Sequence, residues 1–257
     1  MRYFIKPEAD AYSSAESRKY PGNKTYTEYN YLAPGIASYI KTWHFEKALA
    51  LTRSYFHHAN VIDFGCADGV LLPSLSKYFN HVCAIDRNPA FITTASALVD
   101  ELHLSNVELL CNEGLTIEDV KSRLAGREYH VLYLLETLEH VGDRDAMYDS
   151  RVRFLKEIAD LIAKEGIMVV SVPNMVGIFF LIQRVGLALT HSLRETLSVR
   201  ELLKASLLNN TAGLEERWDG GHLGFNHRKL ENRMKLEFRI LKKSHIMFQV
   251  LYLITRQ

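Results

Sequence analysis

The sequence predicts a doubly wound α/β fold: a seven-stranded sheet of five parallel strands completed by an antiparallel edge pair. Three observations carry this expectation. Between Val61 and Pro173, five short apolar runs alternate with segments of helical period. Those runs are almost unbroken in apolar residues, as strands covered on both faces are. Near the C-terminus two further strand-like runs are separated by only a few residues, too few for a crossover, so they must pair antiparallel.

The elements follow in order. Residues 1–35 carry Tyr12, Tyr20, Tyr26, Tyr29 and Tyr31 among Pro7, Pro21 and Pro34, and read as an irregular arm with at most a short helix. Two roles stay open for it, a loosely packed terminus or a flap that closes a pocket with its tyrosines. Ile36, Tyr39, Ile40 and Trp43 then follow helical spacing, and the pattern runs towards Phe56, so residues 1–56 form an arm and helix covering the site. Val61–Gly65 is the first strand, ending in a glycine turn, and Leu71, Leu72, Leu75 and Phe79 lie on one face of the next helix. Val82–Asp86 is the second strand, Pro89 to His103 a helix, and Val107–Cys111 the third strand. A charged helix at Ile117–Leu124 precedes the fourth strand at Val131–Leu135; a helix at Tyr148–Ala163 precedes the fifth at Ile167–Val172, which Pro173 stops. Right-handed crossovers join these five into a core over residues 57–174.

After Asn174 the alternation breaks for about fifty residues. The segment 175–225 reads as a helical insertion, apolar over Met175–Leu189 except for Gln183 and Arg184, with another helix at Ser198–Leu208. It is a cap packed on the sheet, a lid over a hydrophobic acceptor, or a surface for a partner or for peripheral membrane contact through 175–190. Residues 226–257 complete the sheet with a helix from Asn226 to Leu236 and strands at Phe238–Ser244 and Phe248–Thr255.

Composition narrows the function. In 257 residues, 47% hydrophobic and 24% charged are ordinary globular proportions. Lys and Arg number 31 against 30 acids, a formal charge of +1, which lacks the basic surplus of a nucleic-acid binder. The three cysteines form no CxxC pair, which fits a reducing cytoplasm and no cysteine zinc site. Val176–Thr190 is too short and too polar at Gln183 and Arg184 to span a bilayer, and the opening residues have no apolar run of a secretory signal.

Ligands of doubly wound sheets bind at the carboxyl ends of the strands, where strand order reverses. The turn Asp63-Phe64-Gly65-Cys66-Ala67-Asp68-Gly69 occupies that place after the first strand. It is not the GxGxxG pyrophosphate fingerprint, because 67 is Ala and 70 is Val. Asp63 there suits an amine or another cation, Asp86 can accept from two ribose hydroxyls, and Glu113 can accept from an adenine amino group. The three acids suggest a nucleoside without phosphate.

Val61–Gly69 resembles the first motif of class I S-adenosylmethionine-dependent methyltransferases, a strand followed by D-x-G-C-G-x-G. Ala84-Ile85-Asp86-Arg87-Asn88 resembles their acidic ribose-binding segment. Leu134–Val141 is similar to the LEHV segment after the fourth strand. Ser171-Val172-Pro173-Asn174 is similar to the SVPN of the ubiquinone-methyltransferase-like (type 11/12) branch. The resemblance is close over residues 36–174. It implies a Rossmann-like core with S-adenosylmethionine as cofactor, S-adenosylhomocysteine as product and a small-molecule methyl acceptor, hydrophobic or lipid-like ones included. Carried over, Asp63 lies near the methionine ammonium, Gly65, Cys66 and Ala67 admit the cofactor to the backbone, and Asp86 binds the ribose. Arg87 flanks the adenine, Asn112, Glu113 and Gly114 form its amino-group turn, and Glu136 lines the methionine end. Two departures stand out: Ala67 replaces the usual Gly, and Asn112-Glu113 the usual Gly-Asp.

Methyl transfer from a sulfonium is an in-line displacement accelerated largely by holding the acceptor in place in a dry site. Where the acceptor is a hydroxyl or an acidic carbon, a base helps, and the candidates are His140 and His222, the latter in Gly220-Gly221-His222-Leu223-Gly224-Phe225. Each has a bland alternative as a loop-locking residue; Glu139 reads as a structural hydrogen-bonding residue, and His57-His58 as a solvated helix end. No metal is expected, since no HExxH or comparable spacing occurs. Two other functions remain: a non-catalytic nucleoside-binding or scaffold protein of the same fold, and an NAD-dependent dehydrogenase, against which the missing pyrophosphate fingerprint counts.

Overall fold

The computed structural model describes residues 2–13, 15, 19–33, 36–189, 197–218 and 220–257. Its strands are β1 (Asn60–Phe64), β2 (His81–Asp86), β3 (Val107–Cys111), β4 (Val131–Leu135), β5 (Ile167–Pro173), β6 (Phe238–Ile246) and β7 (Gln249–Arg256). They form one seven-stranded sheet, as the sequence predicts, in the order β3-β2-β1-β4-β5-β7-β6. β1 pairs parallel with β2 on one side and β4 on the other, Asp63 standing opposite both Ala84 and Tyr133. The order therefore reverses between β1 and β4, and the carboxyl end of β1 lies at that switch point, where sheets of this kind take their ligands. β6 and β7 run antiparallel from the Ile246–Gln249 pair, so the link between them is a tight hairpin.

The helices are α1 (Ile36–Leu51), α2 (Leu72–Tyr78), α3 (Pro89–Glu101), α4 (Ile117–Arg123), α5 (Met147–Ala159), α6 (Ile178–Leu189), α7 (Val199–Leu208), α8 (Ala212–Glu215) and α9 (His227–Met234). Their starts are chemically marked. Asn88 accepts from the Ala90 amide before Pro89, Thr116 with Asp119 and Ser198 with Glu201 form reciprocal capping boxes, and Asn226 caps α9. The helix expected over Tyr148–Ala163 ends instead at Ala159, because the Ala163 amide donates to the Tyr129 carbonyl at 2.8 Å.

By internal contacts the chain resolves into two compact units, Met1–Leu135 with Ile158–Val169, and Glu136–Glu157 with Val170–Gln257. In the first, the arm is no loose terminus. Tyr12 is wholly buried and packs with Ala11 and Ala15 against Leu98 of α3, while the Tyr3 and Phe4 amides donate to the Glu46 carboxylate. Tyr26 meets Phe91 and Tyr31 meets Phe45, their ring centroids 5.6 and 5.2 Å apart. Apolar area on an extended segment, together with paired amides, holds it down.

In the second unit α6 and α7 share a small core of Met175, Phe180, Ala205 and Leu214. Ile178, Phe179, Ile182 and Val185 of α6 remain exposed. Part of the insertion, residues 190–196, lies outside the described residues. No helix of the described residues is long and apolar enough to cross a membrane.

Candidate functional site

The turn after β1 is pinned by its backbone. The amides of Gly65 and Cys66 both donate to the Ile85 carbonyl, at 2.7 and 3.0 Å, so the turn hangs from β2. Asp63 closes β1 almost fully buried; burial, and then the neighbouring Asp86 charge, push its carboxyl up to about 7. Asp86 accepts from the Ala67 amide on one carboxylate oxygen and from the Asn88 amide on the other, both at 2.9 Å. The residue expected to hold a ribose therefore also shapes the turn beside it. Each of its oxygens keeps a lone pair for a further donor. Burial raises the Asp86 carboxyl above its ordinary range, against the opposing pull of those amides.

Ala67 has φ 47°, in the left-handed region that the family's usual Gly enters freely. Holding Ala there costs about 1 kcal/mol, while Gly costs somewhat less through chain entropy. Ala67→Gly is expected to raise stability by about 0.5 kcal/mol. The check is a thermal melt, and a loss of more than about 1 kcal/mol would contradict the strained-turn reading.

Further along the rim, the Asn112 amide donates to the Asp86 carbonyl at 3.1 Å. The Asn112 side-chain oxygen is buried without a hydrogen-bond partner, an acceptor in want of a donor. Glu113, Gly114 and Arg87 are exposed, so the orphaned acceptor is Asn112 rather than Glu113. Cys66 is buried beside three acids, and burial foremost pushes its thiol well up, which removes it as a nucleophile. Asp68, to which the sequence assigned no role, is buried and accepts from the Thr27 amide at 2.7 Å and from the Thr27 hydroxyl. The arm is thereby tied to the turn after β1, through a pair 41 residues apart that no local pattern reveals.

The second unit holds the other expected residues. Glu136 has φ 52°, an uncommon conformation for a Glu, and Ser171 fixes it by accepting from its amide at 2.9 Å and donating to its carboxylate at 3.0 Å. Leu138–His140 follow as a single 3₁₀ turn. The Arg151 guanidinium, wholly buried, donates to the carbonyls of Leu138 (3.0 Å), Glu139 (2.7 Å) and Met147 (2.8 Å). It also lies over Trp218 and Phe225, 4.7 and 5.1 Å from their ring centroids. His140 and His222, distant in the chain, come together with ring centroids 5.1 Å apart. The Nδ1 of His140 lies 2.6 Å from the Gly220 carbonyl. A carbonyl only accepts, so Nδ1 carries the proton and Nε2 is left as the basic atom.

Glu139 corrects the expectation of a structural hydrogen-bonding role. Its backbone carbonyl serves Arg151, but both carboxylate oxygens are buried without a hydrogen bond. Burial and then the Glu136 charge push its pKa well up. His57 and His58 are exposed, as expected.

A doubly wound sheet with an acidic, small-residue turn at its switch point is the Rossmann-like architecture expected above. A family model described as a methyltransferase domain matches residues 37–233, and the chain belongs to that family. Ubiquinone biosynthesis O-methyltransferase from Bradyrhizobium diazoefficiens is 30% identical over 114 residues, 44% of this chain and 40% of the relative. Its counterpart from Azorhizobium caulinodans is 29% identical over 114 residues, with the same coverage. The match thus spans well under half the length of these curated relatives. Among solved structures, the PH0226 protein from Pyrococcus horikoshii aligns with TM-score 0.58 at 13% identity, over 90% of this chain and 96% of that one. N-methyltransferase NodS from Bradyrhizobium japonicum, solved with S-adenosylhomocysteine, aligns with TM-score 0.52 at 12% identity, over 84% and 87%. At these identities the likeness is one of fold.

Proposed function

We propose that this chain is an S-adenosylmethionine-dependent methyltransferase acting on a small-molecule acceptor. The observation that carries the reading is the pair of buried acids, Asp63 and Asp86, on either side of the turn at Gly65–Ala67. Two neighbouring buried carboxylates, Asp86 already raising the cost of ionising Asp63, repel a diphosphate and attract an ammonium. That favours an adenosyl sulfonium with an amino-acid tail over a dinucleotide. Asp63 would meet the ammonium, Asp86 the ribose hydroxyls, and the orphaned Asn112 oxygen the adenine amino group. Glu136 remains the candidate for the methionine end. The family match and the names of the curated relatives support methyl transfer to a small molecule.

When bound, the cofactor supplies an electrophilic methyl on sulfonium sulfur. The chain's own contribution is to hold both partners and to accept the acceptor's proton where there is one. Each of His140 and His222 offers an imidazole for that proton, and the Gly220 carbonyl orients the first of them.

Calorimetric titration with S-adenosylhomocysteine, in parallel with NAD, tests the cofactor assignment, and pH makes it specific. Asp63 has a pKa raised to about 7 in the folded protein. Its protonation favours the ligand-free fold below the unfolded value of about 4, and that stability is lost as pH rises through about 7. An ammonium bound against Asp63 needs the ionised form and expels the proton. The affinity for S-adenosylhomocysteine is therefore expected to be about tenfold weaker at pH 6 than at pH 8, and to level off above. Asp63→Asn should flatten that dependence. Binding of NAD in place of S-adenosylhomocysteine would sink the reading; ligand binding without turnover of labelled methyl donor in a metabolite extract would favour a non-catalytic nucleoside binder.

A further inference from the structure

We infer that Asp68 is a positioning residue which, through Thr27, latches residues 20–29 of the arm across the cofactor entrance as a gate that opens for each exchange of cofactor. The role rests on the cofactor reading above. Asp63 and Asp86 are only 4% and 8% exposed, yet both have to meet the ligand, so some segment moves aside to admit it. Parallel pairing of β1 with β2, and the Gly65 and Cys66 amides on the Ile85 carbonyl, hold the sheet and its turn in place. The arm belongs to no strand of the sheet. It touches both walls of the entrance: Thr27 bonds to Asp68 in the turn after β1, and Tyr26 packs on Phe91 in the first turn of α3, their ring centroids 5.6 Å apart.

The latch is concentrated on one carboxylate. Asp68 is buried, and both of its oxygens take hydrogen bonds from the same residue: Oδ2 accepts from the Thr27 amide at 2.7 Å and Oδ1 from the Thr27 hydroxyl. Bonds to an ionised acceptor are the strong ones. Burial, and then the Asp68 charge, raise the Tyr20 phenol above its ordinary range, so Tyr20 stands near the same group. The tip itself is preformed. Tyr20 and Lys24 exchange backbone hydrogen bonds at 3.1 and 3.2 Å round a turn in which Gly22 and Asn23 take φ 80° and 54°, and Tyr20 stacks on Tyr29. Such a tip swings as one piece. Its flanks are anchored elsewhere, the Tyr3 and Phe4 amides on Glu46, Tyr12 against Leu98 and Tyr31 on Phe45. Opening thus breaks the Thr27 bonds and the Tyr26–Phe91 contact while the arm stays attached.

A gate of this kind sets rates rather than affinity. The latch opens for entry and for exit, and it is remade over the bound ligand. Loosening it therefore speeds both steps by a similar factor and leaves Kd nearly unchanged. Closure over the ligand also keeps water from the reacting centre, which a dry methyl transfer needs. Asp68 takes no part in the chemistry and acts through the arm alone.

The experiment measures association and chase-induced dissociation of radiolabelled S-adenosylhomocysteine by rapid filtration, on the full chain. Thr27→Val removes the hydroxyl while keeping the shape and the amide, so it is not expected to endanger folding. Losing one hydrogen bond to a charged group should raise both rate constants about tenfold, with Kd within about threefold of wild type. Thr27→Ser, which restores the hydroxyl, should return both rates towards wild type. Asp68→Asn, with one acceptor oxygen left, should accelerate both steps as well. A residue that only stabilised the fold would lower Tm and weaken Kd without speeding association. An association rate unmoved in both Thr27→Val and Asp68→Asn, while wild type binds S-adenosylhomocysteine, overturns the gate alone. No binding by wild type sinks the cofactor assignment and the gate with it.

Discussion

Asp86→Ala is expected to weaken S-adenosylhomocysteine binding by about a hundredfold or more. Two ribose hydroxyls donating to an ionised carboxylate contribute about 1.5–3 kcal/mol each, and 1.4 kcal/mol is a factor of ten. The substitution also strips the Ala67 and Asn88 amides of their acceptor. The turn that should receive the cofactor therefore loosens while the ligand's own partner disappears. A thermal melt separates the two effects, since the sheet around Asp86 rests on apolar burial and should still unfold cooperatively. Asp86→Asn, which keeps one acceptor oxygen, should fall between wild type and Ala in affinity. An unchanged affinity in Asp86→Ala would remove the ribose role and with it the nucleoside reading of the rim.

The sheet was legible because its strands are written locally. Val61–Phe64 (apart from Asp63), Val82–Ile85 and Val131–Leu135 are apolar runs of strand length, and every residue of them is buried. The tight turn after β1 was legible for the same reason, being written in seven consecutive residues. What escaped was set by partners remote in the chain. Nothing in the Tyr-rich arm indicates that Thr27 closes on Asp68, or that Tyr12 buries itself against Leu98. The meeting of His140 and His222 is not written in any local pattern, because the second arrives on a glycine-rich loop that only folding brings to the first. Glu139 differs from its expected part: the hydrogen bond is made by its carbonyl, while its carboxylate makes none and has the His222 imidazole 3.5 Å away. Burial of one side-chain atom and not its neighbour cannot be read from residue type.

The largest stability effect is expected at Arg151. It is among the largest fully buried side chains among the described residues, and its guanidinium ties the turn at Leu138–His140 to the start of α5 through three backbone carbonyls. Burial lowers its pKa to about 10, so it stays charged at neutral pH. Arg151→Ala takes its donor from the buried Glu139 carbonyl, leaves the Leu138 carbonyl to the Val141 amide and the Met147 carbonyl to the Ser150 hydroxyl, and opens a void beneath Trp218 and Phe225. Breaking a buried, fully bonded charge of this kind costs about 3–5 kcal/mol. For a chain of this size that corresponds to a fall in Tm of roughly 6–20 °C. Arg151→Lys tests whether the residue positions the turn beyond stabilising it, because an ammonium keeps the charge but lacks the planar fork that reaches three carbonyls. Lys should recover only part of the lost Tm, and the shortfall measures what the planar fork adds to the turn. A Tm within about 1 °C of wild type in Arg151→Ala would show that the carbonyls find other donors and that the turn stands without it.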